Sequence, residues 1–177
     1  MLTWNRKLPI YAAAVLTLAI ATGAAGAQRG RGAGMMHDDP AQQADMQMFH
    51  ALLDHRTEIT RTVTLMPNGI ETLTESDNPE VTKILQAHVA SMLARVEEAR
   101  PIHRRDPLFA EIFRNANKIE ASSTLTPKGV RVVETSTDPY VATLLQEHAK
   151  VLDAFLANGY PEVRKNHPVP ERKGGVQ

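Results

Sequence analysis

His88 and His148 are the residues of this chain whose type and spacing best suit them to chemistry. A neutral imidazole offers one lone pair. Two of them can fill both axial positions of a non-covalent haem b, or supply half of a copper or zinc site. They stand sixty residues apart, and so does their surrounding sequence. Residues 49–101 align on 109–161 without a gap, with 14 of 53 positions identical. Most shared residues are ones a fold requires: Phe49/Phe109, Ile59/Ile119, Pro67/Pro127, Gly69/Gly129, Pro79/Pro139, Leu85/Leu145 and Gln86/Gln146. A helix has no need of a titratable ring, so the retained histidine pair stands out. Zinc usually takes three or four protein ligands, and no third histidine or matched carboxylate accompanies the pair. Ligand count therefore puts haem first and copper second. The opposing reading makes both rings core residues hydrogen-bonded to neighbouring groups.

A second ligand set approaches the first repeat. Met46, Met48, His50 and His55, preceded by Met35, Met36 and His37, combine the thioether and imidazole groups that copper takes where thiols are absent. The second repeat has Ala110 and Asn115 in place of His50 and His55, so this set is not part of the duplicated design. His103, with Arg104, Arg105 and Asp106, forms a linker constellation able to bind an anion, and His167 falls in the tail. No Gly-rich phosphate loop, nucleophile elbow or HExxH motif is present, so nothing in the sequence marks the chain as an enzyme.

The elements that must position the pair are legible in each repeat as helix, strand, strand, helix. Met46 to Arg56 carries Met46, Phe49, Leu52 and Leu53 at helical spacing. Glu58–Leu65 then alternates, with Ile59, Val63 and Leu65 opposite Thr60, Thr62 and Thr64, as a strand does. Pro67-Asn68-Gly69 and Pro127-Lys128-Gly129 read as hairpin tips, the glycines supplying positive φ. Asn78-Pro79 and Asp138-Pro139 read as helix starts, a capping side chain before a proline at the first helical position. Each following helix has an apolar stripe, Val81, Leu85, Met92 in one and Val141, Leu145, Leu152 in the other, and places its histidine on that stripe. Asn158-Gly159 closes the second helix.

The expected fold is α+β: a four-stranded antiparallel sheet with helices on one face, the two repeats forming one pseudo-two-fold domain. A 50-residue unit alone would be marginal, which favours a single shared core. The domain is expected over 45–165, after a signal peptide at 1–27 and a flexible leader at 28–44, and before a flexible tail at 166–177. The signal reading rests on Arg6 and Lys7, an apolar run from Leu8 to about Ala21, and the small-residue site Ala25-Gly26-Ala27. That run is shorter than the roughly 20 residues of a membrane span, so cleavage would leave no stable membrane insertion. The protein is accordingly expected to be exported, periplasmic or secreted. With no cysteine, the chain has no disulfide, no thiolate metal site and no covalent c-type haem. Removing Arg6 and Lys7 leaves 18 basic against 20 acidic residues, no footprint for nucleic acid or anionic lipid.

The segments ETSTDPYVATLLQEHAKVLDAFLANGYPEV (134–163) and RPIHRRDPLFAEIFRNANKIE (100–120) resemble a group of uncharacterised exported bacterial proteins, often with Met/His-rich leaders. The resemblance covers residues 49 to about 168 and implies the duplicated architecture and export. It implies no activity, cofactor or site. The functional expectation is a small exported protein holding a cofactor or metal between its repeats through His88 and His148. The alternative is a structural or protein-interaction module without a cofactor, partnered by another protein or by a second copy in a homodimer.

Overall fold

All four main helices start on the same pair, an Asp or Asn followed by proline. In the computed structural model, which describes residues 39–172, Asp39, Asn78, Asp106 and Asp138 cap α1 (Pro40–Asp54), α2 (Pro79–Glu97), α3 (Pro107–Arg114) and α4 (Pro139–Asn158). Each cap side chain accepts the backbone N–H two residues on, at 2.9–3.0 Å. The proline between them has no N–H to leave unsatisfied. Gly159, at φ 67°, ends α4 in the left-handed region that favours glycine, and a short turn of helix, α5 (Tyr160–Val163), follows.

Both expected domain boundaries lie further out than the sequence spacing placed them. Helix α1 begins at Pro40 rather than Met46, so residues 40–44 are helical and not flexible leader. Asp45, also on α1, is buried, bonded to Ser91 Oγ at 2.5 Å and ion-paired with the buried Arg95 of α2. At the other end, the tail expected to be flexible from Asn166 is packed as far as Arg172. His167 is buried, Val169 joins the core, and the Arg172 guanidinium lies 4.0 Å from the Tyr140 ring centroid. The signal segment, the leader through residue 38 and residues 173–177 lie outside the described residues.

Strands β1 (Ile59–Met66), β2 (Gly69–Ser76), β3 (Glu120–Thr126) and β4 (Gly129–Thr135) form one antiparallel sheet in the order β1-β2-β4-β3. The two hairpins therefore join through β2 and β4. That central register is reciprocal under a sixty-residue shift: Gly69 pairs Thr135 as Gly129 pairs Glu75, and Thr72 pairs its own counterpart Val132. Side chains alternate across the sheet. Ile70, Thr72, Val130 and Val132 are buried beneath the helices, while Glu71, Leu73, Arg131 and Val133 belong to the opposite, open face, where Arg131 pairs with Glu71.

Helices α2 and α4 lie on the sheet, and α1 and α3 pack against them. Each hairpin tip is held by the other repeat. Gln86 on α2 donates to the carbonyls of Thr126 and Gly129 at 3.1 and 2.9 Å, and Gln146 on α4 donates to Met66 O at 2.8 Å. Likewise Ser76 N–H donates to Lys128 O and Ser136 N–H to Asn68 O, both at 2.9 Å. The core is shared in the same way, since Leu52 of α1 packs with Val81, Leu85, Val130 and Val132, whereas its neighbour Leu53 packs with Leu108, Leu144 and Phe155. Among the described residues no helix is long and apolar enough to cross a membrane.

Candidate functional site

Five of the chain's seven histidines lie against three of its four phenylalanines, the exposed His50 touching only Phe49. Phe49 on α1 stacks on His88 of α2, centroids 6.1 Å apart. Its repeat counterpart Phe109 on α3 meets His148 of α4 edge-on at 4.9 Å. So the retained Phe and the retained His of each repeat touch one another. Phe155 joins the two pairs, 5.8 Å from Phe49 and 6.0 Å from Phe109, and also contacts His103 and His167. Helical spacing explains the arrangement: one turn of α1 or α3 presents its Phe to the stripe of the following helix that carries the histidine.

Burial favours the neutral form of the two paired imidazoles, His88 and His148. It pushes the His148 ring down to about 4, helped by the Arg61 guanidinium and opposed by Asp106. Burial also lowers His88, against the attraction of Asp45. Both Nδ1 atoms are buried and make no hydrogen bond, in contrast to the expectation that a core histidine is satisfied by a neighbour. No hydrogen bond or ring contact joins His88 to His148 directly among the described residues; the phenylalanines connect them. Among the same residues, no group of three or more His, Asp or Glu side chains is placed to hold a metal ion.

The linker constellation separates. His103, at φ 53°, turns inward onto Phe109 at 4.9 Å, with its Nε2 buried without a partner and 4.0 Å from Asp106. Burial lowers this ring as well, with Asp106 raising it and His167 lowering it. Arg104 instead lines a surface hollow of about 250 Å³ with Pro101 and Phe113. A solvated connector was the first expectation for this linker and an anion site the second, but His103 instead packs against Phe109 and Phe155.

The sequence also hid a clasp. Asp106 Oδ1 caps α3 while its Oδ2 accepts from His167 Nδ1 at 2.5 Å and His167 N–H at 3.2 Å. The other ring nitrogen lies 3.3 Å from Glu162 Oε1. His167 thereby pins the C-terminal segment beside a hollow of about 210 Å³ lined by Leu108, Val151 and Ala154. Only the Asp106-Pro107 step offered a signal for this, and it announces the cap rather than the distant histidine. His167→Ala should cost about 2 kcal/mol for the lost charge-assisted bonds and raise amide exchange across 166–172. Unchanged protection there would exclude the clasp.

The Met/His set shares no focus on α1. Met46 and His50 lie one turn apart on an exposed flank, Met48 projects about 200° away around the helix, and His55 Nδ1 is engaged with Glu58 Oε1 at 2.6 Å. His50 packs edge-on against Tyr160 at 5.6 Å. Met35, Met36 and His37 lie outside the described residues. Comparison with protein-family models, with curated proteins and with solved structures finds no match for this chain.

Proposed function

We propose that this chain is an exported protein that binds a non-covalent haem, with His88 and His148 as the two protein ligands and copper as the second choice of ligand. The observation that carries the reading is the pair of buried, unpartnered imidazole Nδ1 atoms, each against the phenylalanine of its own repeat. A neutral imidazole with an unused lone pair is the state a metal ligates. Aromatic residues are scarce in the chain, yet three of the four phenylalanines stand here, which suits a flat apolar macrocycle. Haem asks the protein for two ligands, where a closed zinc site asks for more. Phe155 packs between the two Phe–His pairs, so it is the side chain that must swing aside for uptake.

Titrating the purified protein with haemin should give a Soret band that saturates at one equivalent. His88→Ala and His148→Ala should each weaken binding by more than about ten-fold, the cost of losing even a group that only supports a ligand, whereas His50→Ala should not. Copper(II) titration forms the second arm. No haem spectrum and no retained copper would remove the binding reading and leave the interaction module.

A further inference from the structure

The two edges of the sheet are not treated alike. On β1, Arg61 points inward under α4, its Nη1 donating to Ala149 O at 3.1 Å and pairing with Asp153. An inward charge on an edge strand is a device that keeps other strands from adding there. Sixty residues on, Ala121 replaces Arg61 and Leu93 replaces Asp153, so that device is missing from β3. Every residue from Glu120 to Leu125 is exposed, Leu125 at 65%, and among the described residues nothing pairs with the outer edge of β3. The strand holds no proline, no lysine, no arginine and no break in register. Such an edge is a template for another strand.

We infer that β3 pairs antiparallel with β3 of a second copy, making one continuous sheet across a homodimer. The two-residue loop Pro127-Lys128 closes on the pair Thr126–Gly129, so alternation of the ladder turns the N–H and C=O of Ala121, Ser123 and Leu125 outward. Centring the pairing on Ser123 opposite Ser123 of the second copy uses all of these groups. Ala121 then faces Leu125 of the second copy on the helix side, a small residue against a large one. Ser122 faces Thr124 on the open side, a favourable hydroxyl pair, and Glu120 faces Thr126, so no like charges meet. The same operation on β1 would bury the Arg61–Asp153 edge against a copy of itself. Self-complementarity of β3 thus names the occupant as this chain rather than an unrelated peptide.

Sedimentation equilibrium at micromolar concentration should give twice the monomer mass. Ser123→Lys, an exposed change that sets two ammonium groups opposite each other, should return the mass to that of the monomer with an unchanged far-ultraviolet dichroism spectrum. Thr64→Lys on the opposite edge should leave the doubled mass intact. A monomer at every concentration overturns the inference, as does a dimer indifferent to Ser123→Lys or one abolished by Thr64→Lys. Haem binding is read separately from mass, so either result can fail without the other.

Discussion

Gly69→Ala and Gly129→Ala should each destabilise the protein by about 3 kcal/mol or more, the upper end of over-packing costs, with a matching loss of the cooperative urea transition. A Cβ at Gly69 would stand 2.0 Å from Glu134 O, and one at Gly129 would stand 2.0 Å from Thr74 O. Both obstructions are backbone of the central β2–β4 pair, so no rotamer change relieves them. The pairing that joins the two hairpins must open instead. The sequence reading gave these glycines a turn role, whereas the structure gives them a close-approach role at the start of β2 and β4. The two roles predict different outcomes. A glycine needed only for the tip would tolerate Asn, which accepts left-handed backbone, but Gly69→Asn should be at least as damaging as Gly69→Ala. If Gly69→Asn retains native stability, the close-approach argument fails.

Acidification should weaken the fold through His148. Its folded pKa is about 4 against an ordinary 6.5. Above 6.5 neither state binds the proton and the group contributes nothing to pH dependence. Between 6.5 and 4 the unfolded chain takes up a proton that the buried ring refuses, so stability falls with pH across that window. The full difference corresponds to about 3 kcal/mol. His88 is shifted in the same direction. Glu134 works the other way, because burial raises its carboxyl to about 7 and its cost is relieved as pH falls. The clean measurement is therefore a difference: urea melts of cofactor-free protein and His148→Gln at pH 7 and pH 4.5. The variant should lose less stability than the native chain on acidification. Equal losses would show that the ring is hydrated and titrates normally, and would also remove the case for a neutral ligand.

Much of the fold was readable from short spacings. Alternation in Glu58–Leu65, the Pro-x-Gly tips and the Asx-Pro starts each act within a few residues, where local sterics and one hydrogen bond decide the outcome. Even the misplaced start of α1 was written locally, as Asp39-Pro40. The Phe–His contact of each repeat was half legible. The stripe placed His88 and His148 on the covered side of their helices, but which ring they would meet depended on how α1 and α3 cross α2 and α4.

By itself, then, the sequence determined the elements, their order, the duplication and the histidine pair, because these follow from interactions between near neighbours in the chain. Only the tertiary structure decided that Phe155 bridges the two imidazole sites, that His167 reaches back 61 residues to Asp106, and that the repeated tips need glycine for the partner strand. It also decided that one sheet edge is locked by Arg61 while the other is open. Each of these depends on packing between segments more than forty residues apart, where spacing along the chain carries no information about distance in space.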